Sequence, residues 1–215
     1  MRNKKKTNKK SSYINQKKNM KKFFYKDFSR SESYNTNFTS SEFLGINFLN
    51  ASMKYCNFNN CTFDFVEFEN TKLNGSNFKG AHFRNVLFKN CNLTKTNFNN
   101  ATFTNVFLYN TSFKNLDNKK GIEIITEEKL NFSIDNELSN VIDLCRKNAL
   151  MLNSSPIFNQ KKKSEEKYFL NKLSIIRLER LFSNEEIIKG LKKTNENIDK
   201  EFNTLSRLVK YIQLN

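Results

Sequence analysis

Cysteine, histidine and carboxylate side chains are the residues of this 215-residue chain that could act as nucleophiles, bases or metal ligands, and their spacing argues against those roles. The four cysteines, Cys56, Cys61, Cys91 and Cys145, include no pair with the CxxC separation of a zinc knuckle or a redox dithiol. His82 is the only histidine, so any histidine-based triad would rest on it, and the sequence offers it no evident partner. Asp64, Glu67 and Glu69 lie close together and could attract a cation or a basic partner, but nothing pairs them with a nucleophile. No glycine-rich phosphate loop, HExxH pair or nucleophile elbow is present. The expectation is a chain that is not an enzyme, with no cofactor, no metal and no small-molecule substrate.

Charge is the second chemical signal, and it is concentrated. The net charge of +16 divides into +10 for residues 1–22, +3 for residues 23–115 and +3 for residues 116–215. Arg2, Lys4, Lys5, Lys6, Lys9, Lys10, Lys17, Lys18, Lys21 and Lys22 crowd the first segment without an acid. A tail of this kind contacts phosphates, giving salt-sensitive affinity for RNA or DNA without sequence readout. Tyr13 is its one aromatic residue, so base stacking is weakly supported. The same segment also reads as a disordered, solubilising or membrane-attracted tail, or as an organellar targeting peptide, although it is nearly all lysine and has little apolar content. No apolar h-region follows it, and no apolar run is long enough to span a bilayer, so neither a secretory signal nor a transmembrane segment is expected. The expected compartment is intracellular, cytoplasmic unless the tail is a targeting signal.

The elements that would position these groups are set by an internal period of five. From Phe23 to Phe113 every fifth residue is large and apolar except Ser33, as in Phe38, Phe43, Phe48, Met53, Phe58, Phe63, Phe68 and Leu73. Two residues before each centre stand small or β-branched residues, among them Ala51, Cys56, Cys61, Val66 and Cys91, which makes these cysteines small interior groups of a reducing compartment. Two residues after each centre stand turn formers such as Asn50, Asn60, Asn70, Gly75 and Gly80. Five matches neither the helix period of 3.6 nor the strand period of 2. It fits a short extended piece with two inward side chains, followed by a corner. One such unit cannot bury its apolar face; a stack of them can.

The units Ala51-Ser52-Met53-Lys54-Tyr55, Cys56-Asn57-Phe58-Asn59-Asn60, Ser76-Asn77-Phe78-Lys79-Gly80 and Cys91-Asn92-Leu93-Thr94-Lys95 resemble those of the pentapeptide-repeat proteins. The resemblance implies an all-β, right-handed quadrilateral β-helix with four units per coil, hence about 4–5 coils from nineteen centres. It also implies that residues twenty apart stack. On one face Leu87, Phe107 and Tyr109 then form an apolar patch, expected to be covered by C-terminal helices or a second subunit, and Asn50, Asn70, Asn90 and Asn110 form a corner ladder. The best-understood members of that family are acidic rods that mimic duplex DNA and bind type II topoisomerases; this rod is mildly basic and departs from that pattern.

The period fails near residue 118, and a linker or short strand is expected over 119–132, with Gly121–Ile125 available as an edge strand. An α-helical cap or interaction region is expected over 133–215: one helix from Ile134 to Asn153 capped by Ser133, a second from Glu165 to Phe182, and a third opened by a capping box at Ser183. From there Ile188, Leu191, Asn195, Ile198, Phe202, Leu205, Val209 and Ile212 alternate spacings of three and four, a heptad seam that suits an intramolecular bundle or an intermolecular coiled coil. The functional expectation is a non-catalytic protein-interaction scaffold or structural subunit, with a protein partner or self-association. The alternative is an RNA- or DNA-associated subunit anchored by the basic tail, with topoisomerase modulation the weaker third.

Overall fold

The computed structural model describes residues 12–113, 120–154, 156–160, 168–202 and 204–213. In it the five-residue rule yields a right-handed β-solenoid of about 5 turns with parallel sheets, followed by helices. The reason is visible at the corners: every fifth residue from Asn15 to Asn110 has φ between 46° and 72°. Each unit thus turns through the left-handed region, which Asn and Gly tolerate best. Residue i of one coil pairs with i+20 of the next. One face is the ladder β1 (Ser12–Ile14), β3 (Glu32–Tyr34) and β5 (Ser52–Lys54), and another runs β2 (Lys22–Phe24), β4 (Glu42–Leu44), β6 (Thr62–Asp64), β8 (His82–Arg84) and β10 (Thr102–Thr104). A third joins β7 (Glu67–Glu69), β9 (Leu87–Lys89), β11 (Val106–Tyr109) and β12 (Ile122–Ile125), and the fourth is a row of single bridges from Lys17↔Asn37 to Asn77↔Asn97.

Three of the four inward columns are stacked phenyl rings. Phe43, Phe63 and Phe83 lie 4.9 Å apart and nearly parallel, as do Phe48, Phe68 and Phe88; Phe38, Phe58 and Phe78 follow at 4.8–5.0 Å. The fourth column is smaller: Ser33, Met53, Leu73 and Leu93. Three rings and one slimmer side chain fill a layer at interior density, where a fourth ring would overpack it. Ser33 leaves space, and Tyr13 takes it, its ring centroid 5.9–6.4 Å from those of Phe23, Phe28 and Phe38.

Tyr13 also corrects the boundary expected at residue 22. The ladder begins at Ser12, with Asn15 N–H donating to Tyr34 O at 3.0 Å and Met20 N–H to Thr39 O at 2.9 Å. Backbone pairing does not require an apolar centre, so Lys18 holds the position that Phe occupies in later coils. At the other end Phe113 crosses the mouth, its ring 4.6 Å from that of Phe98 and edge-on to it. Beyond it β12 pairs in parallel with β11, Val106 opposite Ile122, so the expected edge strand is present. Gly121 enters it with φ 80°, so close to the last coil that a β-carbon would stand 2.0 Å from Phe103 O.

The helices differ from their expected bounds. α1 (Glu127–Leu130) falls inside the expected linker. The single helix expected over 134–153 is two, α2 (Asn136–Arg146), capped by Asp135 rather than Ser133, and α3 (Ala149–Leu152). Asn148 makes the break: its side chain accepts from Leu150 N–H at 3.0 Å and donates to Asn195 O at 2.9 Å. The helix expected over 165–182 is confined to α4 (Lys172–Glu179), because Tyr168–Leu170 (β14) instead pairs antiparallel with Phe158–Gln160 (β13). The capping box at Ser183 and Glu186 does open a helix, α5 (Asn184–Asn197). The heptad is not one rod: Ile198 takes an extended conformation and α6 (Leu205–Gln213) begins afresh. Ile188, Leu191, Phe202, Leu205, Val209 and Ile212 are buried together with Leu138, Ile142, Cys145 and Leu178, and Ile198 packs on them half-buried. The seam is therefore an intramolecular core, which removes it as a four-heptad coiled coil. Asn195 lies in it with an Oδ1 that has no protein donor.

Candidate interaction surfaces

The chemistry-bearing side chains are quenched where they stand. Burial pushes the Cys56 thiol up to about 11 and those of Cys61, Cys91 and Cys145 up to about 12, leaving them neutral and unreactive. His82 sits on an exposed strand with Nδ1 2.8 Å from Thr102 Oγ1. Each member of the acidic trio has its own cation: Asp64 binds Arg84 at 2.6 Å, Glu69 binds Lys89 at 2.7 Å and Glu67 binds Arg177 at 3.0 Å. Two of those cations stand one coil further along the same column. The third comes from α4.

Glu67 joins the rod to the helices. Its side chain is 14% exposed and that of Arg177 is 3% exposed. Glu67 Oε1 accepts from Arg177 Nη1 at 3.0 Å and from Leu205 N–H, the first residue of α6, at 3.1 Å. A carboxylate at a helix N-terminus satisfies an orphan donor and meets the positive end of the helix dipole, so a solenoid side chain caps a helix of the other region. Beside this junction lies the apolar patch expected from Leu87, Phe107 and Tyr109. Leu87 and Phe107 are buried against Leu173 and Ile176 of α4 and Ile125 of β12, with Tyr109 half-buried at the margin. The Tyr109 hydroxyl donates to Glu127 Oε1, and that bond raises its pKa. The patch is occupied within the chain and is not open to a partner.

A second docking column escaped the sequence reading. The corner column Tyr25, Gly45, Phe65 sets two aromatic residues where most corners carry Asn or Gly, with Tyr25 and Phe65 at φ 51° and 50°. Phe65 packs against the helical core, Lys210 Nζ lies 5.8 Å from the Tyr25 ring centroid, and a β-carbon on Gly45 would stand 2.9 Å from Ser206 Oγ. Aromatic residues at corners that require αL were the available signal. A second available signal was Arg177 itself, a charge inside the largely apolar stretch Leu173–Leu178 that burial obliges to find a carboxylate.

The expected basic tail divides. Arg2, Lys4, Lys5, Lys6, Lys9 and Lys10 lie outside the described residues, whereas Lys17, Lys18, Lys21 and Lys22 belong to the first coil of the rod. Among the described residues no group of three or more His, Cys, Asp or Glu could hold a metal ion, and no helix is long and apolar enough to cross a membrane.

A short four-sided parallel β-solenoid with a helical module fixed along its side is the class this geometry defines. Residues 22–98 match a family model described as the pentapeptide repeat region. No curated protein sequence matches the chain. Among solved structures, it is similar to a pentapeptide repeat protein from the Arabidopsis thaliana thylakoid lumen, at 17% identity and a TM-score of 0.38 over 61% of this chain and 75% of that one. It is also similar to the pentapeptide repeat protein Rfr23 from the cyanobacterium Cyanothece 51142, at 13% identity and a TM-score of 0.31 over 46% and 85%. A third is QnrB1, a plasmid-mediated fluoroquinolone resistance protein, at 13% identity and a TM-score of 0.27 over 59% and 100%.

Proposed function

We propose that the chain is a non-catalytic interaction scaffold of a reducing intracellular compartment, a stiff rod that holds a helical module in one fixed orientation for a protein partner. The observation that carries this reading is the junction at Glu67, where one partly buried carboxylate receives both Arg177 of α4 and the N-terminus of α6. Such a junction has a use in a protein whose two parts must be presented together. Neutral thiols, a histidine bonded to Thr102 and acids matched one by one to cations support binding over catalysis. The same matching counts against duplex mimicry, which needs a continuous negative face: Asp64, Glu67 and Glu69 are each neutralised.

The test is affinity capture of the full protein from its own cells, with nuclease-treated and high-salt arms, beside the variant Arg177→Met. A protein partner retained through nuclease and salt, and weakened when Arg177 is replaced, is the expected outcome. Recovery of nothing but RNA or DNA, lost on nuclease treatment, would overturn the scaffold in favour of a nucleic-acid anchor.

A further inference from the structure

The first coil, residues 12–31, breaks the inward rule that the other coils keep. Where they turn small or apolar residues toward the axis, it has Gln16, Lys18, Lys21 and Lys26. Long cationic side chains do not remain among phenyl rings; their stems cover the apolar surface and their ammonium groups leave for water. Lys18 Nζ lies 4.8 Å from the Tyr13 ring centroid and Lys26 Nζ 5.7 Å from that of Phe23, and Lys21 and Lys26 are exposed. With Lys17, Lys22 and Arg30, this coil carries six cations against Asp27, a net +5, whereas residues 32–71 set Lys54 against five acids, a net −4.

The same coil is also apolar outside. Of the eight large apolar side chains exposed among the described residues, it holds four: Ile14, Met20, Phe24 and Tyr25. Lysine at a sheet edge deters edge-to-edge pairing, which accounts for the charge but is opposed by the exposed Ile14, Met20 and Phe24. Because a coil is one layer of the ladder, the cations and the apolar groups stand within about 5 Å of a plane across the axis.

We propose that the N-terminal end of the rod docks end-on on an anionic lipid surface, with the lysines among the headgroup phosphates and Ile14, Met20 and Phe24 at the acyl boundary. A plane of mixed cations and aliphatic groups matches a bilayer interface. A nucleic-acid backbone is a line of phosphates that meets such an end along a chord, and it has no use for Ile14 or Met20. The sequence of residues 1–11 adds six more cations and no acid.

The experiment is vesicle co-sedimentation of the full chain, using phosphatidylcholine alone and phosphatidylcholine mixed with phosphatidylserine, with competition by single-stranded RNA and duplex DNA. One variant, Lys17→Asn/Lys21→Ser/Lys22→Thr/Lys26→Val, installs residues that other coils carry at those places, so the fold is kept; its thermal unfolding checks this. Binding only to the anionic vesicles is expected, weakened about fivefold per lysine removed. A second variant, Ile14→Thr/Met20→Asn/Phe24→Thr, should bind at low salt and lose the salt-resistant fraction. No binding by the parent chain, unchanged binding by both folded variants, or displacement by RNA or DNA at equal phosphate concentration would overturn the proposal.

Discussion

The rod and the helical region bury similar side chains by different means. In the rod a residue's neighbours are fixed by its own position: Phe63 stacks on Phe43 and Phe83, twenty residues either way, at 4.9 Å. In the helices the core joins residues that no period relates, such as Leu138, Phe158, Leu178 and Ile212. A repeat whose interior is a column can lose one layer only by opening the stack, while a cluster can collapse around a gap. Phe63→Ala is accordingly expected to cost about 3–5 kcal/mol, and Leu178→Ala about 2–5 kcal/mol with more relaxation. Urea unfolding followed by hydrogen exchange separates them: loss of protection should spread along the rod for Phe63 and stay within α2–α6 for Leu178. Equal loss everywhere would mean that the two regions unfold as one unit.

Whether they do so depends on Glu67. Arg177→Met leaves that carboxylate poorly solvated and without its cation, at a cost of about 3 kcal/mol. Adding Glu67→Gln should recover much of it, because an amide oxygen still accepts from Leu205 N–H without a buried charge. A double-mutant cycle with little coupling between Glu67 and Arg177 would remove the ion pair from the account of how the regions are joined.

The contrast also explains what could be read from the sequence. The five-residue unit encodes its strand, its inward pair and its corner locally, so Phe38 to Leu108 and the corner asparagines were legible residue by residue. The start at Ser12 was missed because Lys18, Lys21 and Lys26 hide the period, although the backbone ladder does not need apolar side chains. In the helical region the seam residues were legible as apolar, but not the breaks at Asn148 and Ile198, which depend on tertiary partners such as Asn195 O. The contact between Glu67 and Arg177 spans 110 residues, and no local pattern announces it.

Alkaline pH should weaken the rod more than the helices. Each thiol has a pKa near 8.5 when unfolded and about 11 or 12 when buried, so the folded state holds its proton where the unfolded state releases it. The stabilising contribution is complete below pH ~8.5 and falls with rising pH by about 1.4 kcal/mol per unit per thiol until the folded group titrates. Cys56, Cys61 and Cys91 act in the rod and Cys145 in the helices. Cys61→Ala places a residue that Ala51 and Ala81 already represent in that register. Its urea midpoint between pH 9 and 11 should fall less steeply than the parent's by one thiol's share. An identical slope would show that Cys61 ionises freely in the fold.

The smallest expected effects are at the corners, where the two regions ask opposite things of the same backbone. Met20 is 76% exposed at φ 53°, so Met20→Asn relieves a left-handed conformation without losing packing and should stabilise by about 0.5–1 kcal/mol. Phe65 has φ 50° and would gain the same relief, but its ring lies against the helical core. Phe65→Asn is therefore expected to be a net loss of roughly 0.5–1 kcal/mol, since burying a phenyl ring is worth about 1.5–3 kcal/mol in full. Thermal melts of the two variants should move in opposite directions. A rise for both would mean that Phe65 serves the rod's corner alone, and that the helices are fixed to the rod through α4 and Glu67 without the Tyr25–Gly45–Phe65 column.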